Sequence, residues 1–216
     1  MIIVGAKGFA KEIAEVLLQL NYSGQIAFFD NVSNNLPEKL FQKYPVFANL
    51  DQVNQFMNQH GNGFVLGLGN PVVRYNMAKL FIQAGGEMET IISPFSRIGV
   101  LGNSIKAGCN IMTGTVITSD VSINQGVLIN LNCTIGHDVN IGRYVELSPG
   151  VHLSGLTNIG DFSVLGTGAV VIPKIHIGNN VIVAAGSVVT KDIPDNVMVA
   201  GAPAIIKKEL PPLEIS

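Results

Sequence analysis

The chain has 216 residues, 47% of them hydrophobic and 13% charged, with a formal net charge of −2. That balance gives no electrostatic case for nucleic-acid binding, and no apolar run reaches the roughly 18 residues of a membrane span. With so little charge to clothe a surface, the chain must hide apolar area in a regular core or against partners. Two cysteines, Cys109 and Cys133, are too few for a disulfide framework. The opening MIIVGAKGFAKEIAEVL has no basic leader and carries Glu12 and Glu15, so it reads as strand, glycine turn and helix rather than as a signal peptide. A cytoplasmic location is expected.

Residues 1–90 alternate between strand and helix patterns. MIIVG is a short apolar strand, and GAKGFAKEIAEVLLQL is a glycine turn opening an amphipathic helix. QIAFFDN is a second strand ending in Asp30 and Asn31, NLDQVNQFMNQ a short helix, and GFVLGLGN a third strand. PVVRYNMAKLFIQAG is a helix with Pro71 at its favoured first position. This alternation predicts a short Rossmann-like parallel sheet. Gly5 and Gly8 at the first strand-to-helix turn would let a backbone approach phosphate, where a helix N-terminus favours an anion. The spacing falls short of the full dinucleotide fingerprint, and the same glycines would serve a turn that only packs helix on sheet. Asp30 and the Gly69–Asn70 pair share the same carboxyl edge of the predicted sheet, where open α/β folds bind ligands.

From residue 91 a different period takes over. Stepping by six from Ile105 gives Ile111, Ile117, Ile123, Ile129, Ile135, Ile141, Leu147, Leu153, Ile159, Leu165, Val171, Ile177, Val183 and Val189, all branched aliphatics. Ile92 and Ile98 extend the series upstream, with one extra residue before Ile105. Four residues after each aliphatic stands a small or β-branched residue, Cys109 and Cys133 among them. A period of six is neither helical nor simple strand alternation. It fits triangular coils of 18 residues, each hexad a short strand plus a corner. One inward stack would then be Ile105, Ile123, Ile141, Ile159 and Ile177, and both cysteines would be core filler.

This hexapeptide repeat, over about residues 92–204, resembles the left-handed parallel β-helix, and the whole chain resembles the sugar O- and N-acyltransferases of the sialic acid and bacillosamine type. The resemblance implies a nucleotide-sugar-binding domain at 1–90, a β-helix acyltransferase domain at 91–204 and a C-terminal tail at 205–216. It further implies a homotrimer with prisms side by side, acetyl-CoA as co-substrate in the groove between prisms, and a place in cell-surface polysaccharide biosynthesis. Lys7, Gly8, Phe9, Asp30, Asn31 and Gly69 match the substrate-binding loops of that family, with Phe9 where a histidine is common. Glu146, Thr167 and Ala185 match positions that meet acetyl-CoA, with Glu146 again replacing a frequent histidine. AGAPA at 200–204 resembles the turn that closes the family's β-helix, and Lys207 and Lys208 would lie toward the CoA phosphates.

The stretch TIGHDVNIG carries His137 and Asp138 in outward slots of the repeat. A histidine is suited to take the proton that an attacking amine or hydroxyl sheds, and a neighbouring carboxylate can orient its ring. Neighbours on a flat strand point to opposite faces, so contact between these two needs a coil corner. The residues alone fit equally well a solvated pair on an outer face; the resemblance makes His137 the general base, Asp138 its support and Asn130 an orienting group. Gly155, 18 residues on, stands one coil away at roughly 4.8 Å, and the family match makes its N–H the oxyanion donor. No metal is expected: His137 and His176 lie two coils apart, roughly 10 Å, and His152 and His60 complete no ligand trio. The expected activity is acetyl transfer from acetyl-CoA to a nucleotide-linked amino sugar. A sugar O-acetyltransferase is the alternative enzyme, and a non-catalytic nucleotide-sugar-binding protein the alternative class. No nucleic-acid partner and no membrane span are expected.

Overall fold

In the computed structural model, which describes residues 1–214, β1 (Ile2–Val4) is wholly buried. It lies between β2 (Ala27–Phe29) and β5 (Gly63–Leu66), parallel to both. Such strands, covered on both faces, read as continuous apolar runs, as IIV, AFF and FVL do. The helices are α1 (Gly8–Gln19), α2 (Leu50–His60) and α3 (Pro71–Gln83). Asn49 caps α2 by accepting from the Gln52 N–H at 3.0 Å, while the Gln52 side chain accepts from the Ala48 N–H. Asn70 caps α3 in front of Pro71.

The sheet is larger than the sequence patterns indicate. Three further strands, β3 (Lys39–Leu40), β4 (Tyr44–Phe47) and β6 (Glu87–Met88), make it six-stranded in the order β3-β4-β2-β1-β5-β6. GFVL is therefore the fifth strand in the chain rather than the third. The β3–β4 hairpin hides from sequence reading for two reasons. Pro45 interrupts the strand pattern, and the three-residue loop Phe41–Lys43 turns through Phe41 and Gln42 at positive φ (51° and 56°), without the glycine or asparagine that usually marks such a turn.

The chain divides into two units, Met1–Pro94 and the chain from Phe95 onward. The second is a parallel β-helix. From Ser104 to Val189 the two-residue strands pair in parallel at a spacing of 18 residues: Ser122–Ile123 with Asn140–Ile141, Thr134–Ile135 with His152–Leu153, Leu128–Ile129 with Glu146–Leu147. The expected isoleucine stack forms one ladder, Ile105, Ile123, Ile141, Ile159 and Ile177. Ile141 is fully buried in its middle. Ile141→Ala should cost about 2–5 kcal/mol, read as a lowered denaturant midpoint at unchanged slope. Cys109 and Cys133 are fully buried in the same core, as the inward small slot demands.

The extra residue upstream is taken up at one corner. Ile98 pairs with Ile117 rather than with the residue 18 on. Asn103 ties the longer turn, donating to the carbonyls of Gly99 (2.7 Å) and Thr118 (2.8 Å) and accepting from Val121 N–H (2.9 Å). At the other end, Val197–Gly201 pairs with Ile182–Val183 and turns at Ala202–Pro203 into the antiparallel strand Ala204–Glu209. AGAPA is thus the tip of a closing hairpin. Among the described residues, no helix is long and apolar enough to cross a membrane.

Candidate active site

In the first unit, the carboxyl ends of β1, β2 and β5 open into a cleft of about 390 Å³. Lys7, Gly8, Phe9, Asp30, Asn31 and Gly69, the six substrate-loop residues singled out in the sequence, all line it. Gly5 makes the close turn possible: at φ 114° it takes a backbone conformation closed to other residues, and a Cβ there would lie 2.7 Å from the Gly67 carbonyl oxygen. Lys7, at the N-cap of α1, places no side chain on the first-turn N–H groups, so these face the cleft with the partial positive charge of a helix start. Asp30 is folded into an Asx turn, accepting from the N–H of Val32 (3.1 Å) and Ser33 (2.9 Å). Burial works to raise its pKa, but the hydrogen bonds from Ser33 and Val32 and the charge of Lys7 outweigh it and hold the carboxyl below its ordinary value.

Arg74 is a residue the sequence reading passed over. It is fully buried, and its guanidinium donates to the Gly69 carbonyl, fixing the third cleft loop from behind. An arginine inside a helical pattern reads as solvated, so nothing in the local sequence signals this role.

In the second unit, corner geometry brings His137 and Asp138 together. Asp138 adopts φ 57°, a left-handed conformation that aspartate tolerates better than most residues. That kink swings two neighbours onto one side, and His137 Nδ1 lies 2.7 Å from Asp138 Oδ2. A carboxylate only accepts, so in the neutral ring the proton sits on Nδ1 and Nε2 presents its lone pair. His137 is 61% and Asp138 49% exposed. Nε2 hangs over the next coil: a Cβ on Gly155 would lie 2.5 Å from it. The Leu156 N–H donates to the His137 carbonyl at 2.9 Å, which locks the two coils in register.

The Gly155 N–H takes no part in the backbone ladder, and this is a property of its slot. At the corners from Met112–Gly114 to Ala184–Gly186 the ladder uses the first and third residues and skips the second. Pro149 and Pro173, which have no N–H, occupy that second slot without loss. On the corner following the Ile105 stack, the same N–H meets an oxygen from the next coil at three coils: Arg143 with Asp161 Oδ1 at 2.6 Å, Asp161 with Asn179 Oδ1 at 2.8 Å, Asn179 with Asp195 Oδ1 at 2.7 Å. The Gly155 N–H stands in the same slot, and no backbone oxygen of the ladder accepts from it. Thr167 and Ala185 occupy the same slot on a different corner.

Within one chain the candidate residues fall into two groups. His137, Asp138 and Gly155 share the corner after the strands Thr134–Ile135 and His152–Leu153. Asn130, Thr167 and Ala185 stand on the corner before those strands, and Glu146 is half-buried on the adjoining face. Asn130 turns its side chain onto the Leu131 N–H at 2.8 Å. Six residues of nearly extended chain separate the corners, roughly 15–20 Å. One copy alone does not bring Asn130 to His137.

Residues 1–81 match the PglD N-terminal domain family, and residues 156–191 match the bacterial transferase hexapeptide repeats. The chain joins an N-terminal α/β domain with a parallel sheet to a left-handed β-helix of hexapeptide repeats. A perosamine N-acetyltransferase from Caulobacter crescentus, solved with CoA and GDP-perosamine, has a TM-score of 0.87 and 27% identity over 96% of each chain. The acetyltransferase domain of PglB from Neisseria gonorrhoeae, solved with acetyl coenzyme A, has a TM-score of 0.84 and 28% identity over 95% of this chain and 98% of that one. WeeI from Acinetobacter baumannii is similar at a TM-score of 0.84 and 29% identity, with coverage of 95% and 98%. Among curated relatives, the galactoside O-acetyltransferase of Lactococcus lactis is 50% identical over 46 residues, 21% of this chain. That alignment spans only 22% of the relative's own length.

Proposed function

We propose that the protein is a cytoplasmic N-acetyltransferase that moves an acetyl group from acetyl-CoA to the amino group of a nucleotide-linked amino sugar, such as a 4-amino-4,6-dideoxy sugar. The observation that carries this reading is His137: its Nδ1 is anchored on Asp138, and its Nε2 is poised over the coil of the unused Gly155 N–H. The amine attacks the thioester carbonyl carbon, and its proton passes to Nε2. The Asp138 charge stabilises the imidazolium, and the Gly155 N–H donates to the oxyanion. The collapse expels the thiolate, which takes the proton back from Nε2. Lys7, Gly8, Phe9, Asp30, Asn31 and Gly69 hold the nucleotide-sugar, its diphosphate against the start of α1. The solved relatives with CoA and GDP-perosamine or with acetyl coenzyme A support both ligand classes.

The two separated corners support a homotrimer. A base 61% exposed on a convex edge cannot exclude water by itself, so Asn130, Glu146, Thr167 and Ala185 of a neighbouring copy would close the groove, with acetyl-CoA lying on their backbone groups. A forced monomer is then inactive.

The test is a panel of nucleotide-linked amino sugars with acetyl-CoA, followed by thiol release. The chain's own thiols stay silent in such an assay: both cysteines are buried, and burial pushes Cys133 up to about 11. Release with an amino sugar but not with its hydroxyl counterpart is expected. Release only with hydroxyl acceptors would replace this reading by the O-acetyltransferase one.

A further inference from the structure

The corner that bears His137 exposes one apolar side chain beside the base. Its residues on the two coils concerned are Gly136, His137 and Asp138, then Ser154, Gly155 and Leu156. Leu156 is 41% exposed and adopts φ 62°. Left-handed backbone is costly for a residue with a Cβ, and a leucine left 41% exposed recovers little of that cost by burial. The equivalent slots on the same corner hold Gly102, Asp120, Asp138 and Lys174, all glycine or polar. Tyr144 and Phe162 adopt similar φ elsewhere, but they are 4% and 6% exposed and stack with ring centroids 5.5 Å apart. Leu156 has no such compensation, and strain kept at a site is grounds for seeking a function there.

The side chain's direction follows from its neighbours in the repeat. The Asp120 carboxylate lies against Gly102, the Asn132 amide against Gly114, the Tyr144 ring against Gly126, and Phe162 stacks on Tyr144. Each turns back over the preceding coil. The same backbone at Leu156 leans its side chain toward the coil of His137.

We propose that Leu156 is the wall against which the acyl methyl of the donor thioester sits, and that it restricts the donor to acetyl. The inference rests on the reading of His137 as base and Gly155 N–H as oxyanion donor. With the carbonyl oxygen on that N–H, the carbonyl carbon carries two further groups, sulfur and methyl. The sulfur must lead out to a long polar chain. The methyl needs apolar contact, and Leu156 is the sole apolar side chain among the six. A propionyl or butyryl chain would require the volume Leu156 fills.

Leu156→Ala and Leu156→Gly should each raise the kcat/KM ratio of butyryl-CoA to acetyl-CoA about tenfold or more at a fixed acceptor, on the scale of one or two methylenes in an apolar pocket. Glycine suits the positive φ, so the second variant relieves strain and does not threaten the fold. An active wild-type enzyme whose variants leave that ratio unchanged overturns the proposal. So does a ratio that moves only when the acceptor's 6-methyl is replaced by hydroxymethyl, since Leu156 would then read the sugar. A wild-type protein that transfers no acetyl group overturns this inference together with the proposed function, which separates the two failures.

Discussion

His137→Ala is expected to lower kcat by about 10²–10⁴-fold, the usual worth of a positioned proton acceptor, while nucleotide-sugar affinity stays within a factor of two. The separation of effects has a structural basis. The cleft that would hold the nucleotide lies entirely within residues 4–77, whereas His137 lies on a coil corner whose register depends on its backbone, not its ring. The His137 carbonyl accepts from Leu156, and the neighbouring ladder bonds are backbone groups that alanine keeps. Asp138→Asn should fall between wild type and His137→Ala. Asparagine tolerates the left-handed φ and still accepts from Nδ1–H, but it removes the charge that steadies the imidazolium. Turnover by thiol release and binding by calorimetry read these quantities separately. Unchanged turnover in His137→Ala would remove the histidine from the mechanism.

Gly155→Ala is the more discriminating change. Its backbone lies outside the left-handed region, so alanine can adopt it without strain. The added methyl would meet the imidazole, 2.5 Å from Nε2 and 2.7 Å from the carbon beside it. A side chain on an exposed corner can rotate away, so the fold survives and the base is displaced. The expected outcome is a loss of roughly 10²-fold or more in kcat, as a 1 Å misplacement can cost, with a thermal midpoint within about 2 °C of wild type. Gly136 provides the contrast. A Cβ there would lie 2.7 Å from the Gly155 backbone nitrogen, so Gly136→Ala should lower stability as well as rate. Full activity in Gly155→Ala would show that the imidazole does not work from the position it occupies here.

What the sequence made legible follows from how narrowly each slot is constrained. The inward positions of the β-helix accept only branched aliphatics or small residues, so fifteen hexads in register dictate strand pairing down to individual residues. The cleft loops were legible because the carboxyl ends of parallel strands converge by topology alone. The β3–β4 hairpin was not, because Phe41–Gln42 turns through positive φ without the residues that normally announce it. The His137–Asp138 contact depends on one left-handed residue, which a six-residue period cannot encode. The skipped N–H is a backbone property, visible beforehand only in the fact that Pro149 and Pro173 are tolerated at that slot. The division of the site residues between two corners follows from counting hexads in threes, but its meaning needs the exposure of His137 to be known.

The unused second-slot N–H has an evolutionary consequence. Each edge of the prism offers second-slot N–H donors at the spacing of its coils, broken where proline stands, as at Pro149 and Pro173. A transferase built on this scaffold need not invent an oxyanion site. It needs only a histidine on one coil, and a glycine below it small enough to let the ring lie over the donor already there. Sliding that pair by 18 residues would carry the chemistry one coil up or down the edge. Its position along the prism is then set in discrete steps, one coil at a time.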